Sequence, residues 1–431
     1  MPTSNHLVPG DRVALLVAGS VAYLEAVHRM LTAGVFPIPL DPRLTEGERS
    51  RILAGLDPTV VVTDDEQLAR LVAPLPAPGL PRGRPIHCTS GTTGTPKGVY
   101  SGLLDDRQAE LLVAEERALW GFRPDDVNLV LSPLYHSAPL RFALGTSLAG
   151  GRVIIPGQPV LSSRGTRRIE GFDPERVTAA IRSQRPTSMF CVPAHLQRLF
   201  AHWDTPGSGG VPDLSSFRLV AHAGAPCPTD VKRRLIDLFP DGSTWEFYGS
   251  TEGQFTACRS EEWLERPGTV GRARPGRILT ADPDGTLWCV VPEHARFTYY
   301  GDPDKTAAAW RDTPAGPAFT VGDHGRIDAD GYVYLDGRRE DLIISGGVNV
   351  YPAEVEQLLG ECPGVEDIAV FGVPDETWGQ RVSAAVVGTA TEDELTSWAR
   401  AHLAPPKRPK TYTFREALPR TLTGKVRRGE L

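Results

Sequence analysis

Lysine is scarce in this 431-residue chain, which contains six lysines against forty arginines. A lysine inside a motif is therefore worth attention, and two of the six, Lys97 and Lys425, lie in motifs. The net charge is −7 and there is no long run of basic residues, which argues against a nucleic-acid partner. Glycine, proline or charge interrupts each apolar stretch well before membrane-spanning length, so we expect no membrane segment.

Paired cysteines and a targeting signal are also missing. The six cysteines form no CxxC pair and no metal-binding spacing, so they are read as reduced thiols. The first eleven residues have neither a basic start nor an apolar core. We therefore expect a cytoplasmic protein.

The chain length suggests two or three domains. Strands alternate with helices up to about residue 250, with a strand at 12–17, a helix at 21–33 and the start of another helix at 141–148. This alternation predicts an α/β fold with parallel-type sheets covered by helices. Beyond residue 268, short strands and turns predict a small β subdomain. The pattern changes again near residue 339, which predicts a large N-terminal domain, 1–338, and a small α+β C-terminal domain, 339–431.

The most informative stretch is 87–98, with sequence HCTSGTTGTPKG. Glycines allow successive backbone N–H groups to face one concavity, while hydroxyls and a lysine add further donors. This composition favours polyphosphate binding, although a solvated Ser/Thr/Gly linker has the same composition. The stretch does not match the common phosphate loop, because Pro96 precedes Lys97 and Gly98 follows it. The candidate phosphate-binding residues are Thr89, Ser90, Gly91, Thr92, Thr93, Gly94 and Lys97.

A glycine-flanked Thr-Glu pair occurs in Tyr248-Gly249-Ser250-Thr251-Glu252-Gly253, after an apolar-aromatic run. Open α/β sheets bind ligands at strand ends. A carboxylate beside a phosphate loop also suits Mg²⁺, which binds through one or two carboxylates and phosphate oxygens. The alternative interpretation is a β-turn with an aromatic residue packed on the core.

Three further motifs follow. Asp323 stands between glycines in Val321-Gly322-Asp323-His324-Gly325, where a turn could present its carboxylate to a ribose diol. Arg338 precedes an apolar run and the pair Gly346-Gly347, which would allow close backbone approach. Lys425 lies on a glycine turn near the C-terminus, where a solvated charge is the common alternative.

In this order and at these separations, the motifs resemble the adenylate-forming superfamily, which includes acyl-CoA synthetases, peptide-synthetase adenylation domains and beetle luciferase. The resemblance extends from about residue 12 to residue 428. It implies that the C-terminal domain is mobile and swings about a hinge near Glu340.

The resemblance also implies roles for individual residues. The residues implied to bind ATP are the phosphate loop together with Gly224, Ala225, Pro226, Tyr248, Gly249, Asp323 and Arg338. Thr251 would contact the α-phosphate, Glu252 would bind Mg²⁺, and Lys425 would bridge the substrate carboxylate and the α-phosphate. Gly346 and Gly347 would line the tunnel for the thiol.

The substrate pocket is implied to contain His136, Ser137, Arg141, Ala223 and Gly249, with His136 as a gate. Arg141 stands at an otherwise apolar helix start. It could bind a second acidic group on the substrate, or its guanidinium could reach out to solvent.

The implied activity is ATP-dependent adenylation of a carboxylic acid, aromatic acids included, followed by transfer to CoA, with ATP, Mg²⁺ and CoA required. The protein would be a monomer or a homodimer without membrane or nucleic-acid partners. Three alternatives stay open: activation of nitrite for diazotisation of an arylamine, loading of a carrier protein, and a catalytically dead nucleotide-binding regulator. Retention of Lys97, Thr251, Glu252, Asp323 and Lys425 argues against the last.

Overall fold

The computed structural model describes residues 6–89, 97–156, 160–161, 167–168, 172–338, 341–345, 348–375, 379–403, 405–420 and 426–431. For some residues at the edges of these ranges, Thr89 and Arg338 among them, only the main chain is described. In this part of the chain, no helix is long and apolar enough to cross a bilayer.

The described helices alternate with strands over most of the chain. They are α1 Val21–Thr32, α2 Glu46–Leu56, α3 Asp65–Val72, α4 Asp106–Trp120, α5 Ser137–Leu148, α6 Pro174–Gln184, α7 Pro193–Asp204, α8 Thr229–Leu238, α9 Ser260–Glu265, α10 Pro303–Ala309, α11 Pro352–Gly360 and α12 Glu392–His402.

The strands are mostly short. Those before residue 260 are β1 Arg12–Leu15, β2 Phe36–Pro39, β3 Val60–Val62, β4 His87–Thr89, β5 Lys97–Tyr100, β6 Val127–Val130, β7 Arg152–Ile154, β8 Val160–Leu161, β9 Arg167–Arg168, β10 Ser188–Cys191, β11 Leu219–His222, β12 Thr244–Glu246 and β13 Thr256–Arg259. Those after it are β14 Arg272–Ala273, β15 Ile278–Ala281, β16 Leu287–Val290, β17 Thr298–Tyr299, β18 Trp310–Thr313, β19 Gly316–Phe319, β20 Asp323–Ile327, β21 Val333–Arg338, β22 Ile343–Ser345, β23 Val348–Val350, β24 Val365–Asp375, β25 Gly379–Gly388 and β26 Thr411–Phe414.

Two parallel-type sheets form the first part of the molecule, as the alternating pattern predicts. One has the strand order β2-β1-β3 and is parallel throughout. The other has the order β14-β13-β12-β11-β10-β6-β7, in which the strands from β12 to β7 are parallel and β13 and β14 are antiparallel. All four residues of strand β10 are buried, and three of them are apolar, as is typical of a parallel strand covered on both faces.

The predicted β subdomain is present as antiparallel sheets. Strands β15, β16, β19 and β18 form one of them, and β20 pairs with β21. Towards the C-terminus, β23, β22, β25 and β24 form an antiparallel sheet that β26 extends in parallel. This sheet and helices α11 and α12 enclose a separate core, as an α+β unit requires.

Helix α4 illustrates how the sequence sets the boundaries of an element. Asp105 caps its N-terminus in a capping box with Gln108, and Gly121 ends it in the left-handed conformation at φ 60°. Helix α5, in contrast, begins at Ser137 and not near residue 141. The predicted start was wrong because Pro139 stands in the first turn, where a proline costs no hydrogen bond.

A fully buried lysine ties helix α8 to the central sheet. The Nζ atom of Lys232 lies 2.5 Å from Oε2 of Glu246 and 5.0 Å from the centre of the Trp263 ring. We expect Lys232→Met to lower the free energy of unfolding by about 3–5 kcal/mol, because the carboxylate of Glu246 stays buried without its counter-ion. Urea denaturation would measure this loss.

The matched control is Arg233→Met, which removes a neighbouring exposed charge near the same indole ring. An equal change in the two variants would contradict the importance of the buried pair. Adding Glu246→Gln to Lys232→Met should recover part of the stability.

Candidate active site

The loop between β12 and β13 carries the predicted Thr-Glu pair. The carbonyl of Tyr248 accepts hydrogen bonds from the N–H groups of Phe255 and Thr256, and the N–H of Ser250 donates to the carbonyl of Gly253 at 2.8 Å. Gly249 is required there, because a Cβ atom would lie 2.9 Å from the Gly253 carbonyl oxygen. The tight loop therefore presents residues 250–253 at the end of the central sheet.

The Glu252 side chain is buried and held in place. The hydroxyl of Tyr299 donates to its Oε1 at 2.8 Å and positions the carboxylate. Arg84 makes only a long contact, 3.5 Å, to the main-chain carbonyl of Glu252 and does not touch the carboxylate. Strand β17, which contains Tyr299, pairs with β5, and β5 pairs with β4. This small sheet brings Lys97, at the start of β5, to the same region as Glu252. The ammonium of Lys97 forms an ion pair with Asp302 at 3.1 Å.

Asp323 is the second buried carboxylate of the region. The hydroxyl of Tyr248 donates to its Oδ2 at 2.6 Å, so the structure joins two predicted ATP-binding residues. The prediction of a turn at Asp323 was wrong in detail: the turn ends at Gly322, whose φ is 79°, and Asp323 is the first residue of β20. Its register partner on β21 is Arg338.

His136 occupies the N-cap position of helix α5, where it is half-buried and its side chain makes no capping hydrogen bond. Its Nε2 atom makes no hydrogen bond within the described residues, and its ring lies 4.5 Å from that of Tyr135. Burial lowers the pKa of His136 to about 4, so the imidazole is neutral at neutral pH. The ring is therefore not a cation for substrate binding.

Arg141 is half-buried, and its guanidinium is held by neighbouring side chains instead of extending freely into solvent. Its guanidinium donates to Glu116 at 2.6 and 2.8 Å and also to the side-chain oxygen of Gln254. Arg141 and Ser137 line a cavity of about 190 Å³, together with residues 250–254. The structure thus places these two predicted pocket residues against the loop that carries Glu252.

Ala223 lies elsewhere, in a cluster of aromatic rings. It follows β11 and packs among Trp120, Phe142, Phe190 and Phe247. Gly224, at φ 92°, continues the chain towards Ala225 and Pro226. Tight aromatic packing around Ala223 leaves the open space on the side of α5 that carries Arg141.

Several predicted residues lie outside the described residues. These are Ser90, Gly91, Thr92, Thr93, Gly94, Glu340, Gly346, Gly347 and Lys425. Their roles stay predictions, as do the side-chain contacts of Thr89 and Arg338.

The sequence reasoning missed several side chains that the structure brings to the cavity or its loop. They are Arg84, Glu115, Glu116, Gln254, Arg274, Arg277 and Tyr299. The adjacent acidic residues of α4 were a usable signal, because they interrupt the apolar face of a helix. No pattern around Tyr299 points to Glu252.

Comparison with known proteins decides the family. Residues 86–288 match the family model described as AMP-binding enzyme, and residues 354–425 match that of the AMP-binding enzyme C-terminal domain. A feruloyl-CoA synthase from Amycolatopsis is 35% identical over 470 aligned residues, covering 98% of this chain and 88% of that protein. The chain belongs to the AMP-binding enzyme family. It is an AMP-forming ligase, as its motifs predict.

Other members of the AMP-binding family agree with this assignment. A 2-succinylbenzoate–CoA ligase from Bacillus licheniformis is 31% identical, with 98% of this chain and 89% of that protein covered. The crystal structure of ATP-bound MatB from Rhodopseudomonas palustris superposes with a TM-score of 0.80 at 28% identity, covering 99% of this chain and 89% of that one. The predicted fold class is confirmed by these matches.

Proposed function

We propose that this AMP-forming ligase joins a carboxylic acid to CoA in two half-reactions. In the first, a carboxylate oxygen of the acid attacks the α-phosphorus of ATP, and pyrophosphate leaves as the bond to the β-phosphate breaks. In the second, the sulfur of CoA attacks the acyl carbon, AMP leaves, and the thiol proton is released. The acyl-CoA ligase relatives support this sequence of steps.

The observation that carries the proposal is the arrangement of two buried carboxylates around one loop. Glu252 and Asp323 accept from the phenols of Tyr299 and Tyr248, and the loop between these contacts forms a wall of the cavity. In our proposal, one of these carboxylates would bind a cation and the other a diol, next to a space for an acid. A nucleotide and an organic acid would therefore meet at residues 250–253.

The nucleotide would bind across the edges of the sheets. Asp323 would accept the ribose hydroxyls, with Arg338 nearby, and Tyr248 would face the adenine opposite residues 224–226. Thr251 would contact the α-phosphate, while the loop from Thr89 to Lys97 would hold the β- and γ-phosphates. An anion that attacks another anion needs neutralising charge where the new bond forms, and these donors supply part of it.

Glu252 fits a role as a magnesium ligand. Its Oε1 is occupied by Tyr299, whereas Oε2 makes no hydrogen bond within the described residues. Those residues contain no group of three His, Cys, Asp or Glu side chains that could hold a metal alone. A single carboxylate suits Mg²⁺, which takes its remaining ligands from phosphate and water and supplies charge neutralisation.

The C-terminal domain, 339–431, would deliver Lys425 for adenylation and then move about Glu340. Gly346 and Gly347 would then line the passage for CoA. In the structure, the hydroxyl of Tyr351 lies 3.0 Å from Nδ1 of His324, which joins this domain to the β subdomain. Such a movement would remove the lysine before the thiol arrives.

Pyrophosphate release across a substrate panel tests the proposal. The panel contains fatty acids, aryl acids, and nitrite together with aminobenzoates, each with and without CoA. We expect pyrophosphate release that depends on the acid. We expect thioester formation only when CoA is also present. Turnover with nitrite in the absence of CoA would favour diazotisation. If none of the substrates tested gave pyrophosphate release, the result would favour the nucleotide-binding regulator.

A further inference from the structure

The cavity beside residues 250–254 has an apolar part and a charged part. Its apolar walls come from α1, α4 and α5 and include Leu31, Leu112, Leu140, Leu144 and Leu148. A dry apolar cavity of about 150 Å³ holds a benzene molecule, so about 190 Å³ is enough for a small aryl or aliphatic acid.

The charged part is a cluster that joins helix α4 to α5 and to the β subdomain. Glu116 accepts from Arg141 and, at 2.9 Å, from Arg274. Glu115 accepts from Arg277 at 3.0 Å and lies 3.7 Å from Arg274. Three of the arginines, Arg141, Arg274 and Arg277, therefore have a structural role as partners of two glutamates.

A fourth arginine, Arg84, is not explained in this way. A fifth, Arg117, also borders the cavity but is exposed to solvent, whereas Arg84 is half-buried. Arg84 lines the same cavity, and within the described residues no carboxylate lies at ion-pair distance from it. In the part of the chain that the structure describes, its guanidinium donates only to main-chain carbonyls, those of Glu252 at 3.5 Å, Ala295 at 3.4 Å and Arg296 at 3.0 Å.

Two of these contacts are long, and a guanidinium has five N–H donors. Desolvation, followed by the neighbouring Arg141 and Arg277, lowers the pKa of Arg84 to about 10, so the group is still a cation at neutral pH.

The cluster therefore has an excess of positive charge. Four guanidiniums, those of Arg84, Arg141, Arg274 and Arg277, face the two carboxylates of Glu115 and Glu116. The Glu252 carboxylate also borders the cavity, but in the proposed function it binds Mg²⁺. Arg84 is half-buried, and a charge that is partly withdrawn from water is costly unless a counter-ion meets it. An anionic group on a bound ligand would be that counter-ion, with the planar fork of Arg84 suited to a carboxylate.

We propose that the acid used by this enzyme carries a second anionic group, and that Arg84 binds it. The inference rests on the proposed function, because it assumes that the reacting carboxylate lies at residues 250–253. Since Arg84 contacts the main chain of Glu252, the two carboxylates of the substrate must be separated by a short linker. The expected substrate class is a short dicarboxylic acid, aliphatic or aryl.

Matched pairs of acids test this inference. Pyrophosphate release is measured with succinate against butanoate, glutarate against pentanoate, and isophthalate against 3-methylbenzoate. We expect kcat/KM to be about 10- to 100-fold higher for each dicarboxylate whose length fits, which is the range of a charge-assisted hydrogen bond. The preference should lie mainly in KM, because Arg84 binds the distal group and not the reacting one.

Variants at position 84 identify the residue responsible. Arg84→Gln should raise KM for the preferred dicarboxylate about 10- to 100-fold, with a much smaller change for its monocarboxylate partner. Arg84→Lys, which keeps the charge without the fork, should recover part of the preference. Arg82→Gln is the matched control, because Arg82 is exposed and pairs with Asp106 on the surface.

The outcomes separate the two proposals. If kcat/KM for pyrophosphate release is at least as high with the monocarboxylates as with the dicarboxylates, the second-anion inference is overturned. The proposed adenylation would still stand. Equal losses on both acids in Arg84→Gln, with an unchanged thermal unfolding midpoint, would also overturn the second-anion inference. If no acid of either kind releases pyrophosphate from the folded wild-type protein, the proposed function itself fails.

Discussion

Replacing Lys425 by alanine is expected to reduce acid-dependent pyrophosphate release by about 1,000-fold while ATP binding is retained. A charged donor that acts at the developing bond contributes mainly to the rate, and loss of one such donor typically costs about 100- to 1,000-fold. The chain on both sides of this residue is anchored: Arg420 pairs with Val426 through the backbone, and Arg428 donates to Glu356 at 2.6 Å. The substitution should therefore leave the domain folded.

The measurement combines pyrophosphate release with equilibrium binding of ATP. Lys410→Ala is the matched control, because Lys410 is an exposed lysine of the same domain. The Lys425→Ala variant should still transfer the acyl group from a chemically prepared acyl-adenylate to CoA, since Lys425 acts only in the first half-reaction. Normal pyrophosphate release by Lys425→Ala would contradict the assignment.

Glu252→Gln is expected to lower adenylation by about 100- to 1,000-fold, with partial recovery at high Mg²⁺ concentration. Glutamine keeps an oxygen for the hydrogen bond from Tyr299 but loses the negative charge that a hard cation requires. The dependence of the rate on Mg²⁺ concentration should therefore shift to higher concentrations.

Two further variants show whether the loss in Glu252→Gln comes from Mg²⁺ binding. Tyr299→Phe removes the hydroxyl that positions Glu252 and should have a smaller effect in the same direction. Glu265→Gln alters an exposed glutamate at the end of α9 and should leave the Mg²⁺ dependence unchanged. A loss in Glu252→Gln that is insensitive to Mg²⁺ would assign the carboxylate a structural role only.

Local chemistry accounts for much of what could be predicted from the sequence. The alternating strands and helices predict the parallel sheets, because a strand buried on both faces reads as an apolar run. The boundaries of α4 follow from Asp105 and Gly121, residues whose side chain or backbone conformation begins or ends a helix. The predicted start of helix α5 came too late along the chain, since Pro139 in the first turn is compatible with a helix.

The composition of the cavity could not be predicted, for a different physical reason. Glu116 meets Arg274, 158 positions away, and Tyr299 meets Glu252 across 47 positions. These pairs depend on how sheets and helices pack, so no local pattern encodes them. Arg84 is the clearest case, because the Pro/Gly-rich segment around it has no pattern that predicts a residue lining the cavity.

Isotope transfer from the acid to AMP tests the central claim most directly. The enzyme is incubated with a carboxylic acid labelled with ¹⁸O in both carboxylate oxygens, together with ATP, Mg²⁺ and CoA, and the nucleotide product is examined by mass spectrometry. Attack of the carboxylate on the α-phosphorus predicts AMP that carries an ¹⁸O atom from the acid, formed in step with pyrophosphate. Unlabelled AMP, or ADP with inorganic phosphate, would contradict the account.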